Sequence, residues 1–205
     1  MGKPVKERIG LMGGTFDPIH LAHLHIAEEA REAFALDRVL FIPAAQPPHK
    51  QGRRIASAAQ RIRMVELAIA GNPHFAIDLL EMERKGPSYS WLMVQEMQQR
   101  QGKDAELFFI TGSDSINDLP TWNHPRDLVG ACQFIGTTRP EVPFDEKVLL
   151  DYFGPELRSR IHELAVPMME ISSTLIRERI AAGRSIRYLL PEAVADYIEK
   201  EGLYQ

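Results

Sequence analysis

At 205 residues, with 44% of its side chains hydrophobic and 25% charged, the chain reads as one large soluble domain spanning residues 1–205, able to bury a substantial core. Its net charge of −4 argues against a general nucleic-acid-binding surface, although a local basic pocket can still hold a phosphate. The lone cysteine, Cys132 in the apolar run ACQFIGTT, excludes an internal disulfide; with no basic-then-apolar leader read at the start and no apolar run long enough to cross a bilayer, the expectation is a cytoplasmic protein without a membrane partner.

In chain order, RIGLM (residues 8–12) reads as a buried strand that ends in the pair Gly13 and Gly14. Asp17 followed by Pro18 looks like an N-cap and first-turn pair, and an amphipathic helix is expected over His23–Phe34. A second strand, RVLFIP (38–43), runs into the polar, Pro-rich stretch AAQPPHKQGRR (44–54), a long loop of the kind that often carries function. A helix over Ser57–Ala70, a strand FAIDLL (75–80), a helix over Tyr89–Arg100 and a strand ELFFIT (106–111) follow. The strands CQFIGTT (132–138) and HELAVPM (162–168) flank a helix expected over Asp145–Tyr152. Helices over Thr174–Ala182 and Glu192–Glu199 form a short C-terminal tail, with Gly183 placed as a C-cap glycine and Pro191 as a first-turn proline. The strands are continuously apolar rather than alternating, which suits a parallel sheet covered on both faces. The α/β alternation predicts a doubly wound, Rossmann-like sheet, in which ligands bind beyond the carboxyl ends of the strands.

The residues just after the apolar runs carry the chemistry. Gly13 and Gly14 allow a sharp bend and a close approach to backbone N–H groups. His20 and His23 fall on the same helical stripe as Ala27, Ala30 and Phe34, with its upper end at the strand tips. Two imidazoles beside a helix N-terminus suit a polyphosphate. Neither GxGxxG nor a Walker ending is present, and no third residue stands at metal-ligand spacing to the two histidines. His25 points elsewhere on the helix and reads as a surface residue. Near the other end, ISSTLIR (171–177) offers Ser172 or Ser173 as an N-cap. Arg177 sits in the first turns of that helix, where a cation is disfavoured unless an anion lies between it and the helix end. Between these motifs the readings stay open. Lys50 of PPHK is either a phosphate contact or a solvated loop lysine. Ser90 of GPSYS either holds a small carboxylate or caps a helix. Asp114 of TGSDS either accepts from ribose hydroxyls or caps the next helix. Trp122 either stacks on an aromatic ring or packs in the core.

GGTFDPIHLAH resembles the signature of the HxGH nucleotidyltransferase superfamily, with Ala22 in place of the usual glycine, and ISSTLIR is similar to its ISSTxIR motif. With PPHK, GPSYS and LPTW, the resemblance narrows to the bacterial nicotinate-mononucleotide adenylyltransferases and runs nearly end to end, departing at Trp91, Leu92 and Met93 of SYSWLM. The resemblance implies transfer of AMP from ATP to nicotinate mononucleotide, with in-line attack at the α-phosphorus and no covalent enzyme intermediate. It implies His20, His23 and Arg177 as catalytic groups. It places Gly13, Gly14, Thr15, Phe16, Lys50, Gly112, Asp114, Ile171, Ser172 and Ser173 around ATP, with Arg139 near the adenine. Ser90 and Trp122 fall to the nicotinate nucleotide. Mg²⁺ is expected to arrive with ATP, without ligands from the protein, and a homo-oligomer is compatible with all of this. The competing readings are a sister adenylyltransferase with another acceptor, a non-catalytic nucleotide sensor, and a nicotinamide-dependent oxidoreductase, which the missing GxGxxG disfavours.

Overall fold

The computed structural model describes residues 6–45, 55–84, 86, 88–102, 104–138, 143–167 and 169–205. Six strands form one parallel sheet: β1 (Glu7–Gly14), β2 (Arg38–Pro43), β3 (Phe75–Ile77), β4 (Ala105–Gly112), β5 (Gln133–Thr138) and β6 (Ile161–Ala165). Their spatial order is β3-β2-β1-β4-β5-β6, so the chain leaves β1 toward one edge and returns to pair β4 against its other side. That reversal is the switch point at which an open α/β sheet forms its cleft, and it puts the carboxyl ends of β1 and β4 side by side.

Neighbouring residues on a strand serve opposite cores, as strand geometry requires. Phe109 and Phe134 belong to one apolar cluster, and Phe108 and Ile135 to the other. On the first face lie α4 (Ser90–Gln101), α6 (Pro125–Ala131) and α7 (Glu146–Arg158), contributing Val94, Met97, Leu128, Val129, Leu149 and Phe153. On the second lie α1 (Leu21–Ala33), α2 (Ala58–Ile69), α8 (Ser173–Ala181) and α9 (Glu192–Lys200), contributing Ala27, Ala30, Met64, Val65, Ile176, Val194 and Ile198. The expected doubly wound sheet with helices on both faces is therefore present. The C-terminal tail belongs to the second core, with α9 lying against α2. Gly183, at φ 62°, ends α8 as expected: the Arg184 N–H donates back to the Arg179 carbonyl.

Several boundaries differ from the sequence reading. The third strand stops at Ile77, because the Asp78 carboxylate accepts from the Leu80 N–H at 2.9 Å and turns the chain into the short α3 (Leu80–Glu83). Helix α7 runs past Tyr152 to Arg158, with a break at Gly154 where φ is 75°. Helix α1 begins at Leu21 with His20 as its N-cap, rather than after Asp17. Pro191 is the residue preceding α9, one position before the first turn. A helix after the fourth strand was one reading, but Asp114 lies within the short α5 (Ser113–Asn117) and Gly112, not Asp114, precedes it; the 3₁₀ turn at Leu119–Thr121 and α6 were not anticipated. Among the described residues, no helix is long and apolar enough to cross a membrane.

Candidate active site

Two cavities open at the carboxyl edge of the sheet, one on each side of the turn that ends β1. The first, about 330 Å³, is lined by Gly13, His20, Ala22, His23 and His25 from the first motif. Thr111 and Gly112 at the end of β4, Thr137 and Thr138 at the end of β5, and Ile171 and Ser172 complete it. The second, about 760 Å³, is lined by Gly14 and Thr15 from the same turn, with Tyr89, Ser90, Trp91, Ser115, Asp118, Trp122 and Asn123. Consecutive glycines thus face different cavities, as alternation along an extended strand requires. A Cβ at Gly112 would meet no atom within 4 Å, whereas one at Gly14 would lie 3.0 Å from the Phe16 ring.

The imidazoles are packed against each other, with ring centroids of His20 and His23 3.8 Å apart, and the Phe16 and His23 rings meet in a T-shaped arrangement with centroids 5.2 Å apart. The His20 backbone N–H donates to His23 Nδ1 at 3.3 Å, which leaves the ring proton of His23 on Nε2. His20 is 6% exposed, and burial pushes its pKa down to about 4, so its imidazole is neutral near pH 7. Its Nδ1 is buried with no hydrogen-bond partner among the described residues. An anion arriving beside a neutral, desolvated imidazole favours its charged form and raises its pKa from that low value. The amides at the start of α1 are less available than its position suggests, since the Leu21 N–H is taken by the Leu189 carbonyl at 3.1 Å.

The second motif holds the first. Ser172 caps α8 by accepting from the Leu175 N–H at 3.1 Å, and it also reaches the cavity wall. Ser173 donates to the Pro18 carbonyl at 2.9 Å and does not line the cavity. Arg177 lies behind the turn rather than in the histidine cavity. Its Nη1 donates to the Asp17 carbonyl at 2.7 Å and stands 3.8 Å from Asp17 Oδ2, while Nη2 donates to Thr174 Oγ1. Asp17 itself, expected as an N-cap, is buried in this cluster and caps no helix. Its carboxylate accepts from the Ala56 N–H and the Tyr204 hydroxyl.

Other expected residues fall as follows. Phe16 is buried beneath the turn and lines neither cavity. Asp114 is exposed on α5, close to Gly112 of one cavity and Ser115 of the other but lining neither. Ser90 and Trp122 share the second cavity, and Trp122 also packs edge-on against Phe109 at 5.9 Å, so its alternative readings coexist. Lys50 and Arg139 lie outside the described residues. His25, expected at the surface, lines the first cavity. Trp91, a departure from the family pattern, forms part of the wall of the second and stands 5.9 Å from the His124 ring. Arg61 was missed although a signal existed: it lies three and four residues before the buried Met64 and Val65, on the apolar stripe of α2. Among the described residues, no cluster of three His, Cys, Asp or Glu could hold a metal ion.

The sheet order and a cleft with imidazoles beside a glycine turn fit a nucleotidyltransferase, and the cytidylyltransferase-like family model matches residues 11–179. A probable nicotinate-nucleotide adenylyltransferase of Desulfitobacterium hafniense is 46% identical over 97% of this chain and 96% of its own. That of Thermomicrobium roseum is 43% identical over 97% of this chain and 92% of its own. The chain belongs to the cytidylyltransferase-like family and, within it, to the nicotinate-nucleotide adenylyltransferases. The same fold is found in the Plasmodium falciparum nicotinic acid mononucleotide adenylyltransferase complexed with NaAD, at a TM-score of 0.78 and 20% identity over 97% of both chains.

Proposed function

We infer that the chain transfers AMP from ATP to nicotinate mononucleotide, giving nicotinate adenine dinucleotide and pyrophosphate. The observation that carries this reading is the pair of cavities that share one turn: a transfer between two nucleotides needs two sites meeting at the reacting phosphorus. ATP occupies the histidine cavity, with adenosine along Gly112 and the ends of β4 and β5. The acceptor occupies the other, its pyridine ring against Trp122 and its carboxylate toward Ser90. A phosphate oxygen of the acceptor attacks the α-phosphorus of ATP; the new P–O bond forms as the bond to pyrophosphate breaks, and the two electrons of that bond leave with pyrophosphate. The attacking phosphate is already anionic, so the chain supplies position and charge stabilisation rather than a strong base.

His20 and His23 bind the transferring group and the leaving pyrophosphate, and Ser172 donates to a phosphate oxygen. Arg177, held on Asp17, adds positive charge from behind the turn. Lys50 and Arg139 complete the phosphate and adenine contacts, a reading supported by their places in the family motifs. Residues 1–205 act as one domain, in the cytoplasm, where ATP and a reducing milieu are available. Mg²⁺ comes in with the triphosphate and keeps several of its waters.

Pyrophosphate release from ATP and Mg²⁺ tests this reading, compared for nicotinate mononucleotide, nicotinamide mononucleotide and phosphopantetheine. Release is expected to be fastest with nicotinate mononucleotide. Preferential release with phosphopantetheine would keep the ATP cavity and overturn the assignment of the second one.

A further inference from the structure

Among the described residues, a group of buried and half-buried polar side chains, Asp17, Arg61 and Tyr204, stands behind the first turn. Asp17 is 1% exposed, and a carboxylate removed from water depends on the donors around it. Its Oδ1 accepts from the Tyr204 hydroxyl at 2.7 Å and from the Ala56 N–H at 3.0 Å. Arg61, also 1% exposed, donates from Nη1 to the Thr15 carbonyl at 2.8 Å and from Nε to the Ala56 carbonyl at 3.3 Å. The turn that leads into His20 is therefore gripped by α2, by the segment before it, and by a residue of the C-terminal tail.

Two details indicate that the grip is specific. Tyr204 occupies φ 66°, a region that a non-glycine residue adopts at a cost, and in that conformation its hydroxyl reaches Asp17 Oδ1. Burial, then its hydrogen bond to Asp17, pushes its phenol far up, and the group stays a donor at any physiological pH. Arg61 could have been an apolar residue, given its place among Met64 and Val65, yet it spends a fully buried guanidinium on two backbone carbonyls. Neither Tyr204 nor Arg61 lines the ATP or acceptor cavity.

We propose that Tyr204 and Arg61 are positioning residues for adenylyl transfer, fixing the Thr15–Pro18 turn, through the Asp17 carboxylate and the Thr15 carbonyl, so that His20 meets the reacting phosphate in register. The inference rests on the reading of His20 as a catalytic group. Without the Tyr204 hydroxyl, Asp17 keeps a buried oxygen with one donor fewer, and the turn relaxes toward water. A displacement of about 1 Å at a transfer site can cost roughly 100-fold in rate.

Steady-state kinetics on Tyr204→Phe, His20→Ala and the double variant test it, beside thermal unfolding of each. Tyr204→Phe is expected to fold, to lose about tenfold or more in kcat, and to keep both KM values within about threefold. In the His20→Ala background the same substitution is expected to change kcat by less than about twofold, because it acts through a group already gone. Arg61→Lys, which keeps a donor for the Thr15 carbonyl, is expected to retain more kcat than Arg61→Met. Equal losses from Tyr204→Phe in the two backgrounds, or wild-type kcat in the single variant, would overturn the proposal. So would a Tyr204→Phe chain that does not fold, which would assign the hydroxyl to stability. The two readings separate: wild-type kcat in His20→Ala removes the catalytic histidine and the proposal with it, whereas inactive His20→Ala beside fully active Tyr204→Phe removes the proposal alone.

Discussion

The two cavities that meet at the β1 turn are built to different standards. Around His20 and Ser172 the walls are strand ends and helix starts tied to one another, with Ser173 on the Pro18 carbonyl and Arg177 on that of Asp17. Around Ser90 and Trp122 the walls come from the start of α4, the short α5 and the 3₁₀ turn, three short pieces rather than tied strand ends; exposed side chains stand in both walls, Tyr89 at 39% here and Met169 at 36% beside the histidines. The contrast follows the demands of the chemistry. In-line transfer at phosphorus needs groups held to a fraction of an ångström, whereas an aromatic ring and a carboxylate can be recognised by a more adaptable wall. The side that performs the reaction is welded, and the side that selects the acceptor is assembled from short pieces.

Substitutions on each side should separate these roles. The largest effect is expected from His20→Ala, a fall in kcat of about 100- to 1,000-fold with KM for both nucleotides little changed, measured by steady-state pyrophosphate release. An unchanged kcat would make the welded side a binding site only. Next, Gly112→Val places its Cβ where no atom stands within 4 Å and its branches toward the cavity that Gly112 lines, so it is expected to fold and to fill the ATP cavity. ATP affinity by titration calorimetry should fall about 100-fold or more, since occupied volume excludes the ligand outright. Smaller again, Trp122→Ala should raise KM for nicotinate mononucleotide by about tenfold, the scale of one lost stacking contact, and leave ATP affinity intact.

The smallest effect is one of pH. His20 is held down to about 4 by burial and titrates near 6.5 when unfolded, so between those values the unfolded chain binds the extra proton. Stability of the ligand-free protein should therefore fall as pH drops through that window. An ATP phosphate beside the ring favours its protonation, so the rise in Tm on adding ATP should grow from pH 7 to pH 5. His20→Gln should abolish that growth; a variant that keeps it would place the proton elsewhere.

Much of this was legible in the sequence because buried parallel strands read as unbroken apolar runs, and all six were found. The parts that escaped were set by local turns or by contacts across the chain. Asp78 ending β3 and the left-handed His124 preceding α6 are local decisions that apolar periodicity does not encode. At the site, the glycine turn, the histidine pair and the Ser172 cap stood at recognisable spacing. Arg177 did not go where its helix position suggested, because Asp17 lies 160 positions away in sequence and accepts it first. His25 and Trp91 reached the cavities because the rotation of α1 and α4 about their axes, fixed only by packing, decides which side chains face the cleft.

The claim that one turn divides two substrate sites is tested most directly by titrating Gly112→Val and Trp122→Ala with each nucleotide separately. A crossed result is expected: Gly112→Val loses ATP and keeps nicotinate mononucleotide, and Trp122→Ala does the reverse. Loss of both nucleotides from either folded variant, or loss of ATP from Trp122→Ala alone, would contradict the two-cavity account.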